Sequence, residues 1–451
     1  MALRSSEAKR KLLHMGVGGF ALLLRWLTWP QAAAMAVAAF LFNWQVLPRI
    51  GGRGLWRDEE HAAGYTRGML LYPLSVLALI LVFRHELWIA ATAWAFLAWG
   101  DGMAAFAGQA LGGPRLPWNP RKGWIGLAAF VVCGALTGAA LAGWTLKLPA
   151  PSWFSPWLLA LVVPAVLLAA LAESLPTTLD DNLTVPLIGG LALGLLALAE
   201  WPRLLDDPGA PSRLLQGLGV NAVVAALAYA ARSIDVPGAL SAVLIGTLVT
   251  LGTGLQGFAV LAAFFVVGSA VTKLGYRVKA ARGIAQEKGG ARGWRNAWAN
   301  GGVPCALALL AGATGDRLHE LFVLAYAASV ATAAADTCSS EIGKAYGRRT
   351  FLITSLRPVA PGTEGAVSLE GTLGGLGGGL LVAAVGAALG LYSWPAALLV
   401  GLCGLLGSLA ESVLGTVAER RGWLDNDLLN ATNTALGAAF CAGLARALAL
   451  A

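Results

Sequence analysis

The chain has 451 residues, of which 57% are hydrophobic and only 12% are charged. So little charge cannot cover the surface of a soluble protein of this length, which excludes the soluble globular class. The formal net charge of +8 reflects Lys and Arg in short loops between apolar runs, so it does not indicate binding to nucleic acid. The composition predicts an all-α polytopic membrane protein embedded in a lipid bilayer.

Apolar runs of the length that a helix needs to cross a bilayer, about 17–25 residues, recur along the whole chain and predict about 15 transmembrane helices. No small-residue cleavage site follows the first run, so we expect it to stay in the protein. A cytoplasmic N-terminus puts most loop Lys and Arg inside, which predicts this orientation in the cytoplasmic membrane. The predicted spans are 12–28, 31–48, 69–84, 87–110, 124–146, 154–174, 184–200, 214–231, 236–252, 255–275, 299–314, 321–342, 371–391, 396–418 and 428–451.

In the first part of the chain, an acidic residue lies in the apolar run LAWGDGMAAFAGQALGG. Asp101 is followed at offsets of 4, 7 and 11 by Ala105, Gly108 and Gly112, which share one helical face. A carboxylate at the edge of hydrocarbon costs a few kcal/mol, so it is a candidate functional group. A helix cap or a buried ion pair is the structural alternative. Three polar motifs follow in order: NPRKGWIG (119–126), LAESLP (171–176) and LDDNLTVP (179–186).

The same order of motifs returns later in the chain. Asp336 in ADTCSSEIGKAYGRR is followed at the same offsets by Ser340, Gly343 and Gly347. SLEG, SLAESV and LDNDLLNATN come next, and matched landmarks are displaced by 235 to 245 residues. This pattern predicts two similar helix bundles in a parallel internal repeat, although Ala/Gly-rich sequences can also match by chance. The predicted domains are 1–200 and 214–451, joined by the linker 201–213.

On the predicted topology the acidic residues of both halves lie at the cytoplasmic side, close to Lys/Arg-rich loops. Carboxylates bind divalent cations, basic side chains neutralise phosphate, and glycine lets backbone N–H groups approach. Anchoring by the positive-inside rule explains the basic loops alone equally well. Taken with the carboxylates, they favour metal-dependent phosphate chemistry without a P-loop, since G-x-x-x-x-G-K-[ST] is absent from the sequence.

These motifs carry two resemblances. EAKRKLLHMGVG, GDGMAAFAGQALG, NPRKGWIG and ESLPTTLDDNLTVPL, within residues 1–200, resemble the CTP-dependent polyprenol kinases, the dolichol kinase and phytol kinase group related in fold to phosphatidate cytidylyltransferase. TKLGYRVK, the Asp336 motif through EGTLGG, and LDNDLLNATN, within about 232–451, are similar to the family that contains transmembrane protein 19 and phytyl-phosphate kinase.

The resemblances imply that the first half phosphorylates a long-chain prenyl alcohol with CTP and that the second converts the prenyl phosphate to the diphosphate. They imply catalytic roles for Asp101, Lys122, Glu173, Asp181, Asn182, Asp336, Glu341 and Glu411. The nucleotide contacts that they imply are Arg10, Lys11, His14, Gly108, Gly112, Arg121, Gly343, Gly347, Arg348, Arg349, Arg357, Glu370, Gly371 and Asn426. The implied Mg²⁺ ligands are Asp101, Asp181, Asp336, Glu411 and Asp425.

Each half departs from the kinase pattern. Gly123 and Ile125 stand where a hydroxyl residue and a Glu are usual, which weakens the expectation of an active first site. Val367 stands where the first half has Lys122, which shifts the expected phosphate contacts to the arginines of 348–357. Two other functions remain open: cytidylyl transfer to a lipid phosphate, and transport by a duplicated bundle. The acidic residues argue against transport because they lie at one face rather than at the midplane.

Overall fold

A computed structural model describes residues 5–50, 67–285, 293–416 and 425–450. The chain divides into two compact units, Met1–Leu198 and Ala199–Ala451, each with its own buried apolar core. The described residues are almost entirely helical, with one short antiparallel hairpin in each unit. The predicted all-α membrane fold is confirmed. The stretch expected to be a linker, 201–213, begins with a helix and belongs to the second unit.

In the first unit, the hairpin connects the helix that carries Asp101 to the next long helix. Its strands are β1 (Arg115–Leu116) and β2 (Asn119–Gly123), and Leu116 pairs with Asn119. The helices are α1 (Ser5–Gly18), α2 (Trp29–Leu41), α3 (Arg67–Val82), α4 (Leu87–Ala95), α5 (Gly102–Leu111), α6 (Trp124–Thr145), α7 (Pro156–Ser174) and α8 (Asp181–Ala197).

In the second unit, a hairpin again follows the helix that carries the motif Asp. Its strands are β3 (Thr350–Leu352) and β4 (Ala366–Ser368), and Phe351 pairs with Val367. The helices are α9 (Trp201–Leu205), α10 (Ala210–Ala230), α11 (Val236–Lys273), α12 (Tyr276–Ala281), α13 (Trp294–Ala313), α14 (Asp316–Tyr346), α15 (Leu369–Ala388), α16 (Trp394–Leu414) and α17 (Asn426–Ala447).

Each predicted span overlaps a helix, but a total of about 15 spans is not confirmed. Within the described residues, nine helices are long and apolar enough to cross a membrane, and two shorter apolar helices accompany them. The difference arises because several apolar runs form helices that are too short or too polar, such as α2 and α13. The end of the predicted span 396–418 and part of the basic loop 276–298 lie outside the described residues.

The span that carries Asp101 is continuous from Leu87 to Leu111, because a π-helical turn joins α4 to α5. This turn, Phe96–Asp101, adds a residue to one helical turn, a local change that is frequent at functional sites. The predicted span 87–110 agrees with this helix, and Asp101 lies inside it, with more than two further turns of helix after it.

Helix α11 is too long for a single crossing, since 38 residues of helix measure about 57 Å and the hydrocarbon core is about 30 Å thick. It breaks at Gly254, whose φ of 70° lies in the region that favours glycine. Before the break, Ile245 packs against Gly301 and Gly252 packs against Ala308. The first arm therefore runs parallel to α13.

The second arm of α11 follows α14 instead. The Tyr326 hydroxyl donates to the Gly257 carbonyl at 2.7 Å, and Lys279, just beyond the arm, pairs with Glu341. The second arm thus runs in the direction of α14. Since α13 and α14 are joined by a tight turn and run antiparallel, α11 is a helical hairpin. Its arms agree with the two predicted spans 236–252 and 255–275.

Candidate active sites

Three carboxylates from three helices meet in the first unit. Asp101 comes from the π-helical turn, Glu173 from the last turn of α7, and Asp181 from the first residue of α8. One oxygen of each lies within 4.8 Å of the others, and Asp101 and Glu173 are only 6% and 8% exposed. Hard oxygen donors this close together fit a divalent cation such as Mg²⁺.

Two lysines are paired with this carboxylate cluster. The Lys11 Nζ lies 2.7 Å from an Asp101 oxygen. The Lys122 Nζ lies 2.7 Å from a Glu173 oxygen and 3.4 Å from an Asp181 oxygen. Burial lowers the pKa of Lys122, but the carboxylates of Asp181 and Glu173 outweigh burial and raise that pKa above its usual value. Lys122 is therefore a cation at neutral pH.

His14 lies beside the same cluster, on α1. Its Nε2 is 3.0 Å from the carbonyl oxygen of Leu97 and 3.7 Å from an Asp101 oxygen. The ring also packs edge-on against Tyr72, at 4.7 Å between ring centroids. The basic motif at the start of the chain is thus brought to Asp101 through Lys11 and His14.

The β1–β2 hairpin positions Lys122. The Asn119 Nδ2 donates to the Ser174 carbonyl at 3.0 Å, and the Trp118 Nε1 donates to the Ser174 hydroxyl at 3.0 Å. The Lys122 ammonium also donates to the Glu173 carbonyl. The bonds from Asn119 and Lys122 satisfy carbonyls at the end of α7 that have no partner within the helix. Sequence reasoning missed Asn119 and Ser174, although both stand inside motifs that it quoted.

The motif glycines of the first unit lie where α5 crosses α6. A Cβ atom on Gly126 would be 3.0 Å from the Ala104 carbonyl oxygen, and one on Gly108 would be 3.5 Å from the Gly126 Cα. Gly112 ends α5 with a φ of 67°. The glycines therefore allow a close helix crossing just behind the hairpin.

In the second unit, a cavity of about 280 Å³ lies around Asp336. Asp336 from α14 and Glu411 from α16 share a side-chain hydrogen bond. Lys344 also lines the cavity and is the one basic residue among its described lining residues. Gly343 of α14 lines the cavity as well, and other lining residues come from the hairpin and from the starts of α15 and α17, among them Ser368, Gly371 and Asn426.

The glycines of the second unit repeat the close crossing. A Cβ atom on Gly371 would lie 2.7 Å from the Ser339 carbonyl oxygen, and one on Gly343 would lie 3.8 Å from the Gly371 Cα. The Ser368 hydroxyl accepts the backbone N–H of Gly371 at 3.1 Å and so caps α15. The crossing of α14 and α15 forms one wall of the cavity.

Glu341 lies outside the lining of this cavity. Its carboxylate pairs with Lys279, and the two side chains are 2% and 1% exposed. Lys279 also donates to the Thr272 carbonyl at 2.8 Å, at the end of α11. Lys279 is the last residue of the motif TKLGYRVK, and no role was predicted for it from the sequence.

Several other candidates lie outside both the carboxylate cluster of the first unit and the cavity around Asp336. Asp425 is exposed, accepts the backbone N–H of Leu428 at 2.9 Å, and lies 3.4 Å from Arg295. The Asn182 side chain donates to Asp180 at 2.7 Å. The remaining candidates outside the cavity lining are exposed Arg121, Arg348, Arg349 and Arg357, partly buried Arg10 and Glu370, and buried Gly347.

Comparison with known proteins identifies the family. The profile of an integral membrane protein family, DUF92, matches residues 219–438. An uncharacterized membrane protein of Synechocystis sp. is 44% identical over 202 residues, which make up 44% of this chain and 78% of the relative. The chain belongs to the DUF92 family. The profile match lies within the second unit, from α10 to α17.

Other relatives of this DUF92 protein have more specific names. Protein VTE6, chloroplastic, of Arabidopsis thaliana is 40% identical over 205 residues, 44% of this chain and 62% of the relative. A probable phytol kinase, chloroplastic, of Triticum aestivum is 30% identical over 218 residues, 43% of this chain and 69% of the relative. No solved structure matches the chain significantly.

Proposed function

We propose that this DUF92 protein is a membrane kinase with two active sites, one in each unit. The first unit phosphorylates a prenyl alcohol such as phytol, and the second unit phosphorylates the resulting monophosphate to the diphosphate. The observation that carries the proposal is one arrangement formed twice. In each unit an Asp inside a long helix, a Gly–Gly helix crossing, a hairpin and a Glu near the end of a later helix lie together. An internal duplication accounts for this.

The names of relatives support the substrate class, because several are called phytol kinase. The position of both sites supports it as well. Each site lies at one end of apolar helices, so a prenyl chain can stay in the lipid while its hydroxyl or phosphate reaches an aqueous nucleotide. The proposed donor is CTP, by resemblance to the polyprenol kinases.

The residues present fit a divalent cation. Asp101, Glu173 and Asp181 would hold Mg²⁺ in the first unit, and Asp336 with Glu411 would hold it in the second. When bound, Mg²⁺ neutralises charge on the transferred phosphoryl group. Lys122 in the first site and Lys344 in the second would bind phosphate oxygens, and the acidic side chains would orient the attacking oxygen.

The decisive test uses the purified protein in lipid nanodiscs with phytol, or with phytyl monophosphate, across a Mg²⁺ titration. Label from γ-labelled CTP in both lipid products would support the kinase proposal. Label from α-labelled CTP in the lipid would contradict it and would assign cytidylyl transfer instead. Lack of label from any nucleoside triphosphate, with catalysed movement of phytyl phosphate between leaflets, would favour transport.

A further inference from the structure

A second cavity of the second unit is apolar. It has a volume of about 130 Å³ and lies among α10, both arms of α11 and the start of α13. Its walls include Ala225, Ile245 and Phe264, which are 5%, 3% and 5% exposed. A pocket with such walls excludes water and takes an apolar group.

Three amide side chains also line this apolar cavity. Asn296 and Asn300 are in the first two turns of α13, and Asn221, which is 4% exposed, is on α10. Because α13 runs antiparallel to α14, its start lies at the same end of the unit as Lys344, near the end of α14. The end of the apolar cavity that contains Asn296 therefore lies on the same side of the unit as the cavity around Asp336.

An ion-pair cluster lies beside residues that line each of the two cavities. Arg295 lies 2.8 Å from an Asp427 oxygen and 3.4 Å from an Asp425 oxygen. Asn426, between these two acids, lines the cavity around Asp336, and Asn296, next to Arg295, lines the apolar cavity. The two cavities thus border one cluster at the starts of α13 and α17.

The size of the apolar cavity limits its occupant. A protein cavity of about 150 Å³ lined by Leu, Ile and Phe takes one benzene molecule, which has six carbons. A cavity of about 130 Å³ therefore matches one five-carbon isoprenyl unit with its methyl branch. We propose that this cavity holds one isoprenyl unit of the prenyl phosphate whose phosphate enters the cavity around Asp336. This inference rests on the proposed function of the second unit.

The test fills the cavity and compares it with the outer face of the same helix. Ala225→Leu places a larger side chain in the cavity, whereas Ala226→Leu alters an exposed neighbour on α10. With phytyl monophosphate, we expect Ala225→Leu to raise KM about tenfold or more, with kcat and the KM for nucleotide unchanged. Ala226→Leu should leave all three constants unchanged. An unchanged KM in folded Ala225→Leu protein would contradict the inference.

A photolabelling experiment on the unaltered protein needs neither folding of a variant nor turnover. A diazirine on one isoprenyl unit of phytyl phosphate should label peptides from 221–228 and 258–266, and unlabelled phytyl phosphate should compete. Labelling confined to other helices would overturn the inference, as would equal labelling by a diacyl phospholipid with the same group. Specific labelling of these peptides in a protein that transfers no phosphate would refute only the proposed function.

Discussion

The two units place similar acidic residues on similar scaffolds, but they balance the negative charge differently. In the first unit, Lys11 and Lys122 contact all three carboxylates of the cluster. In the second, the side chains of Asp336 and Glu411 share a hydrogen bond beside a cavity of about 280 Å³. The difference arises in the hairpins, where β2 carries Lys122 and β4 carries Val367.

The comparison suggests a division of tasks that suits the two proposed substrates. An alcohol brings no charge, so the first site needs its own cations to hold nucleotide phosphates and to keep three acids together. A prenyl phosphate brings additional volume and its own negative charge, which suits a cavity of about 280 Å³ with Lys344 in its lining. The predictions below test this division, beginning with the largest effect.

The largest effect should come from removing the motif Asp of either unit. Asp101→Asn should lower phosphorylation of phytol about 100- to 1,000-fold and leave conversion of supplied monophosphate intact, because the charge that holds the cation is lost in one site only. Asp336→Asn should do the opposite. Both steps are measured separately with γ-labelled CTP.

Asp235→Asn serves as the matched control for these variants. Asp235 accepts the backbone N–H of Gly238 at 2.8 Å at the start of α11, a cap that Asn retains, and it belongs to neither site. Its two rates should equal those of the unaltered protein. Equal loss of both steps in Asp101→Asn would show a single composite site and would contradict the proposal of one active site in each unit.

The sequence predicted the two Asp motifs, their order and the helical fold, because offsets of 4, 7 and 11 residues indicate one helical face without any tertiary information. It could not show the π-helical turn that ends at Asp101, since such a turn leaves no clear pattern in an apolar run. Nor could it show that Glu341, five residues after Asp336, faces Lys279 rather than the cavity. That contact depends on how α12 packs against α14, which is a long-range property.

The next largest effect concerns the buried Lys279–Glu341 pair. Lys279→Met or Glu341→Gln should each destabilise the second unit by about 3 kcal/mol or more, because one charge is left buried without its partner. The double variant should recover much of this loss. Turnover of monophosphate per folded molecule should stay near normal in all three. Thermal melts in detergent, run beside the kinase assay, measure both quantities.

Lys11→Met provides the contrast in the first unit. Lys11 is 17% exposed and pairs with Asp101 inside the proposed site. Lys11→Met should therefore lower the rate of phytol phosphorylation clearly and change the melting temperature only slightly. If Glu341→Gln instead melts normally and makes no diphosphate, then Glu341 acts in catalysis, as the resemblance implied.

A smaller effect should follow from adding a methyl group at the helix crossings. Gly371→Ala brings a Cβ atom to 2.7 Å from a backbone oxygen, and Gly126→Ala brings one to 3.0 Å. We expect overpacking to cost about 1–3 kcal/mol, with the larger loss for Gly371→Ala. Each change should slow only the step of its own unit. Gly377→Ala, also on α15 but with open space around the glycine, is the matched control and should melt normally.

The smallest effect is expected at Asp425. The family resemblance of its motif implied that Asp425 is a Mg²⁺ ligand. Asp425 is exposed at the start of α17, where it caps the helix and lies 3.4 Å from Arg295. Asn caps a helix as well as Asp, so Asp425→Asn removes the charge and keeps the cap. An exposed ion pair contributes about 0–1 kcal/mol, so the melting temperature should hardly change.

The Mg²⁺ dependence of diphosphate formation then decides the role of Asp425. If Asp336 and Glu411 hold the cation without it, the Mg²⁺ concentration for half-maximal turnover should stay within about twofold in Asp425→Asn, because surface charges are screened by salt. A cation ligand would instead shift that concentration about tenfold or more, as loss of a direct carboxylate contact does. Such a shift would add Asp425 to the cation ligands of the second site. Its set of acids would then match the three-carboxylate cluster of the first unit, with Asp425 in the place of Asp181.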